Sequence, residues 1–282
     1  MAPSTQSPPS RSLVLVPRHS ATVRLTHWVN ALCIFFLLAS GLQIFNAHPR
    51  LYFGKSGADD DAAVAEIASE RKGDTLHGQV RVGRFSVDTT GFLGASKDDG
   101  RIVAQAFPGW LTLPSYHDLG AGRRWHFTLA WLLALNGLVY LAHSLWSRHL
   151  RHDLLPTRDQ LAPRHVWHEI KEHASLRFAK GEEARRYNVL QKATYLLVAL
   201  VLLPLMVATG LAMSPGVDAA FPILPALLGG RQTARTLHFV AAFSLATFAI
   251  VHLAMVVASG LWNNLRSMVT GRYAIQIERG SE

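Results

Sequence analysis

Thiol chemistry is all but missing from this chain, whose 282 residues include one cysteine, Cys33. A lone cysteine forms no intramolecular disulfide, builds no thiolate cluster and completes no C-x-x-C-H motif. Iron–sulfur ligation by this chain is thereby excluded. Charge is scarce too, at 17% of residues against 49% hydrophobic. There is also no glycine-rich phosphate loop, so no nucleotide site is expected. This balance belongs to a membrane protein that carries polar loops.

Four stretches are long and apolar enough to cross a bilayer: Leu25–Phe45, Trp125–Trp146, Ala193–Met213 and Thr236–Trp262. They predict an all-α integral membrane protein, a four-helix transmembrane bundle with a long connection between the first two helices. The first stretch contains His27, Asn30 and Gln43 and has no A-x-A-like site after it, so it reads as a retained span. Residues 1–20, rich in Ser and Pro, read as a disordered tail and 21–282 as the membrane domain.

The net charge of +9 does not point to nucleic acid, because its placement is that of a topology signal. Arg11, Arg18 and Arg24 precede the first span. Arg148, Arg151, Arg158, Arg164, Lys171, Arg177, Lys180, Arg185 and Arg186 crowd the second connection, and Arg266, Arg272 and Arg279 follow the last span. The first connection holds the acidic run Asp59, Asp60, Asp61 instead. The positive-inside rule puts both termini and the second connection in the cytoplasm. Residues 46–124 then form an outward, periplasmic cap. Within it, Val80, Val82, Phe85 and Val87 alternate around Gly83-Arg84 as a short hairpin would. Phe107-Pro-Gly-Trp110-Leu-Thr-Leu-Pro114 reads as an aromatic segment at the outer interface. The cap serves either as a docking surface for a soluble partner or as a cover for the bundle end.

Histidine carries the chemistry. His238 and His252 lie fourteen residues apart in the fourth span. Fourteen residues are almost four whole helical turns, so both imidazoles share one face, ~21 Å apart along the axis. With the predicted topology, His238 lies at the outer level and His252 at the inner. His27, near the start of the first span, falls at the inner level, and His126, near the start of the second, at the outer. Two facing pairs result, His126 with His238 and His27 with His252, each able to clasp a haem of the non-covalent b type. His143 follows His126 by seventeen residues, a rotation of about 260° beyond whole turns, and so leaves the ligand face. Arg24, Arg124 and Arg235 stand near the histidines at the predicted membrane surfaces, where guanidinium groups suit haem propionates or lipid headgroups. Gly41, Gly137, Gly210 and Gly260 lie in the spans, where a missing side chain admits either a porphyrin or a neighbouring helix. His149, His152, His165, His168 and His173 include an H-x-x-H pair, but no cysteine accompanies them, and the segment reads as a solvated amphipathic helix.

These residues resemble the bacterial cytochrome b561 family, which includes the membrane cytochrome subunits of nickel-iron hydrogenases, formate dehydrogenase and thiosulfate reductase. Arg24-Leu-Thr-His27-Trp-Val-Asn30, Gly122-Arg-Arg-Trp-His126-Phe and the His238/His252 pair carry the likeness. It implies two haem b groups on His27, His126, His238 and His252, and quinone as substrate. More narrowly, Ser40-Gly-Leu-Gln-Ile-Phe-Asn-Ala-His-Pro49, Tyr187-Asn-Val-Leu-Gln-Lys192 and Gly229-Gly-Arg-Gln-Thr-Ala-Arg235 are similar to b561-like subunits that pair with a periplasmic molybdopterin oxidoreductase. The resemblance implies an electron-transfer subunit of the bacterial inner membrane. Asn30, Gln191 and His143 are polar candidates for a quinone contact. The rival readings are a self-sufficient superoxide:quinone oxidoreductase and a non-haem membrane anchor or transporter.

Overall fold

A computed structural model describes residues 11–58, 61–98, 100–175 and 188–278. Asp59, Asp60, Tyr187, Arg279 and the basic residues at 177–186 lie outside these, as does the tail up to residue 10. Four helices are long and apolar enough to cross a membrane: α1 (Ala21–Asn46), α2 (Leu119–Trp146), Val189–Ala212 and α8 (Arg231–Ala258). Large apolar side chains stand exposed on each, among them Phe35, Leu138, Leu197 and Ile250. An apolar face without protein cover is what lipid-facing helices present.

The third of these segments is interrupted. α4 (Val189–Leu197) starts at a capping box between Asn188 and Gln191. A π turn, Val198–Leu202, separates it from α5 (Leu203–Ala212), and two short helices, α6 (Pro215–Ala220) and α7 (Ile223–Leu227), come before α8. Pro204 explains the interruption, since its ring crowds the carbonyl of the preceding turn and it has no N–H to give. The fourth span ends at Ala258, earlier than the expected Trp262. Gly260 adopts a left-handed φ of 114°, and an amphipathic helix, α9 (Leu261–Thr270), follows it.

The expectation of an all-α chain needs correction, because the first connection carries six strands. β2 (Arg50–Leu51), β3 (Ala65–Lys72), β4 (Thr75–Val82) and β5 (Phe85–Asp88) form one four-stranded antiparallel sheet. Val82 pairs with Phe85 across a two-residue turn, Gly83-Arg84. β6 (Gly94–Asp98) and β7 (Arg101–Gln105) make a second hairpin. A Cβ on Gly94 would stand 2.8 Å from the Gly78 Cα, so the two glycines let the hairpins meet backbone to backbone.

Two compact units divide the chain. One consists of Val29–Leu138 and Ala199–Thr247. In its core Phe45, Leu51, Ala106 and Phe107 pack with Ile67, Leu93 and Phe239, which seats the sheet against helix side chains. Asn46 clamps the chain there: its Nδ2 donates to the Phe107 carbonyl at 3.1 Å, and its Oδ1 accepts from the Phe107 N–H at 2.7 Å.

The other unit consists of the chain up to Trp28, Val139–Val198 and the chain from Phe248. Its β1 (Arg11–Pro17) pairs antiparallel with β8 (Arg272–Glu278). Residues 11–17, expected as disordered tail, are therefore strand, because the apolar run Leu13-Val-Leu-Val16 finds a partner at the far end of the sequence. Arg18 lies 4.4 Å over the Tyr273 ring. Beside it, burial first and the Arg18 charge second push His19 down from 6.5 to about 4, with His149, His27 and Arg24 adding to the effect. The folded state thus holds this imidazole neutral where the unfolded chain protonates it. Stability should fall as pH drops from 6.5 to about 4. Thermal melts of His19→Gln against the parent across that window check this, the variant showing the shallower loss.

Candidate functional site

In the first unit α2 brings His126 to His238 of α8, with ring centres 6.2 Å apart and planes at 61°. Each ring is held from behind by a hydroxyl. Ser40 of α1 lies 3.1 Å from His126 Nδ1, and Thr209 of α5 lies 2.9 Å from His238 Nδ1. Both hydroxyls are fully buried. Both also donate to a carbonyl one turn back, Ser40 to Phe36 at 2.7 Å and Thr209 to Leu205 at 2.6 Å. The next residue in each case is glycine. A Cβ on Gly41 would stand 3.4 Å from His126 Cε1, and one on Gly210 would stand 3.6 Å from His238 Cε1. Hydroxyl and glycine together form a cradle for each imidazole.

In the second unit His27 of α1 faces His252 of α8, with ring centres 6.3 Å apart and planes at 57°. Phe248, one turn before His252, stacks on it at 5.5 Å. Trp28 meets His27 edge-on at 5.3 Å and donates from Nε1 to the Met268 carbonyl. His27 Nδ1 is buried and has no hydrogen-bond partner among the described residues.

These separations test whether a metal suits the pairs. Two imidazoles joined end to end by a direct N–H···N bond would have centres about 5.3 Å apart, given a ~3 Å hydrogen bond. A metal ~2 Å from each nitrogen lengthens that to about 6.3 Å. Both pairs match the longer value. The chemistry agrees, because two neutral imidazoles and no carboxylate or thiolate suit the iron of a porphyrin that brings its own four nitrogens. Among the described residues no cluster of three or more His, Cys, Asp or Glu forms a metal site made by protein alone.

The other predicted residues sort themselves. Arg24 donates from Nη1 to the Val269 carbonyl, and its buried Nε has no partner among the described residues. Arg235 donates to the His48 carbonyl and lies 5.5 Å over the Phe45 ring. Arg124 is exposed near the start of α2. His143 Nε2 lies 3.2 Å from the Ser20 hydroxyl. Of the polar candidates for quinone, Asn30 accepts from Asn136 at 2.7 Å and Gln191 belongs to the cap of α4, so each already has structural work. In α3 (Pro163–Ala174) His165 and His173 each lie 3.8 Å from the Glu169 carboxylate, and His168 lies 3.4 Å from that of Glu172.

Sequence reasoning passed over Ser40 and Thr209. A signal for them exists. Leu37-Leu-Ala-Ser-Gly-Leu42 and Met206-Val-Ala-Thr-Gly-Leu211 are two versions of one short pattern, and each backs one histidine of the same pair.

Comparison with known proteins follows the same lines. A curated relative in Azospira oryzae, provisionally named as the protein-methionine-sulfoxide reductase subunit YedZ1, is 28% identical over 238 residues, covering 84% of this chain and 89% of the relative. No solved structure matches. The model of the prokaryotic cytochrome b561 family matches residues 18–271. The chain therefore belongs to the prokaryotic cytochrome b561 family, integral membrane proteins of electron transport that carry haem b.

Proposed function

We propose that this chain is a four-helix, di-haem cytochrome b that passes electrons between the quinone pool of the bacterial inner membrane and a periplasmic oxidoreductase of the molybdopterin type. The observation that carries the reading is the pair of matched imidazole couples, at 6.2 and 6.3 Å. Haem supplies one-electron chemistry when bound, its iron cycling between ferric and ferrous. The chain supplies the rest. His126 and His238 would hold one group through their ring nitrogens, and His27 and His252 would hold the other. Gly41 and Gly210 leave the first couple room, while Phe248 and Trp28 fix the ring planes of the second. Arg24, three residues before His27, Arg124, two before His126, and Arg235, three before His238, are the cations assigned to the propionate carboxylates.

A reductase as partner is inferred from the relative's name, which makes that protein a reductase subunit, and its molybdopterin type from the sequence resemblance of Ser40–Pro49, Tyr187–Lys192 and Gly229–Arg235. The placement of basic residues supports cytoplasmic termini and an outward connection at 46–124. That connection carries exposed Phe85, Val87, Phe92 and Trp110, the last 72% exposed, and a docking face for a soluble protein would use such side chains.

Haem counting tests the reading. Pyridine haemochrome assay of the purified chain against its amino-acid content should give two b-type haems per chain. A ratio of one, or a colourless protein from cells supplied with haem precursor, would falsify it.

A further inference from the structure

We infer that Ser40 and Thr209 are positioning residues that fix the tautomer of His126 and His238 and make this couple the stronger electron donor of the two. The inference rests on the di-haem reading above and concerns the residues behind the ligands.

A hydroxyl has one hydrogen and two lone pairs. Ser40 spends its hydrogen on the Phe36 carbonyl and Thr209 on that of Leu205. Both side chains are fully buried, so water does not take part. Each hydroxyl can therefore offer the imidazole only a lone pair. Nδ1 must carry the proton in both rings, which leaves the lone pair on Nε2, the nitrogen free to bind a metal.

The same bonds act on the strength of that lone pair. An Nδ1–H that donates to oxygen is polarised, and the ring gains electron density that it passes to a metal at Nε2. Stronger donation favours ferric over ferrous iron and lowers the reduction potential. Both ligands of this couple are so treated. In the His27–His252 couple, His27 Nδ1 has no such acceptor among the described residues. The chain thus distinguishes chemically between two couples whose ring-centre separations are nearly the same.

Redox titration of the visible α-bands of the purified full chain tests this. Ser40→Ala and Thr209→Val remove the hydroxyls and leave all four histidines in place, so two haems should stay bound. The signal that His126→Ala abolishes should move to higher potential, furthest in the double variant, and the other signal should stay where it is. Thr209→Ser and Ser40→Thr, which keep the hydroxyl and change the bulk, should restore the parent value. Haem lost from Ser40→Ala and Thr209→Val but kept in Ser40→Thr and Thr209→Ser would also support hydroxyl positioning. An unmoved potential with both haems bound overturns the inference. So does an equal shift of both signals, or failure of the conservative variants to restore the parent, which would make the residues packing alone. A parent protein without two haems fails the di-haem reading instead and leaves a different mark, since no pair of signals exists to compare.

Discussion

His126→Ala should abolish one of two haem signals and spare the other, and His252→Ala should do the reverse. Each substitution removes one of two axial nitrogens and leaves a ring-sized hole opposite the survivor. Losing an outer partner of a metal ligand already costs ~10–100-fold in affinity, and losing the ligand itself costs more. The helices should survive, since alanine is the best helix former and neither histidine caps an end. Specificity follows from the two couples lying in different compact units of the chain. His126→Ala combined with His238→Ala should lose no more haem than either alone, as expected of two residues that act on one site. His143→Ala is the control. Its imidazole meets the Ser20 hydroxyl and, among the described residues, no second histidine, so both signals should persist. Reduced-minus-oxidised spectra of the five proteins read out every arm. Loss of both signals in each single variant would mean that the chain does not hold two separable sites.

The four histidines were legible because membrane helices obey tight rules. A span has a known length and a known period, so positions along the sequence become depth and face, and four residues fall into two couples. Ser40 and Thr209 were not legible by those rules. A hydroxyl in an apolar helix usually bonds its own preceding turn, and both of these do, so nothing in either helix alone shows a second partner. Only the approach of α2 to α1 and of α8 to α5 reveals it. The connection at 46–124 divides along the same line. The tip of one hairpin was visible in the alternation of Val80, Val82, Phe85 and Val87. β3, with the sequence Ala-Glu-Ile-Ala-Ser-Glu-Arg-Lys, has few β-branched residues and becomes strand because β2 and β4 flank it. β1 is the extreme case, since its partner β8 lies at the opposite end of the chain and no local signal predicts that meeting.

The glycines give the second large effect. Gly210→Val and Gly41→Val should each strip haem from the His126–His238 couple while Gly210→Ala retains it. An added Cβ at Gly210 would rest 3.6 Å from the His238 ring, an ordinary contact. At Gly41 the corresponding distance is 3.4 Å, so Gly41→Ala should be slightly worse than Gly210→Ala and still bind. Valine adds two further carbons on a stiff χ1, and at these distances they must displace the imidazole from its hydroxyl and from its opposing nitrogen. The helix itself gives no reason for harm, because glycine inside a helix is worse than alanine by about 1 kcal/mol. A helix-only role therefore predicts stabilisation where the cradle predicts loss of colour, and the two readings differ in sign. Gly137 separates them further. Its added Cβ would meet nothing within 4 Å, so Gly137→Val should leave both haem signals intact. Should Gly210→Val keep a full complement of haem with unshifted bands, the glycine would have no role at the ring, and the cradle drawn around His238 would be wrong.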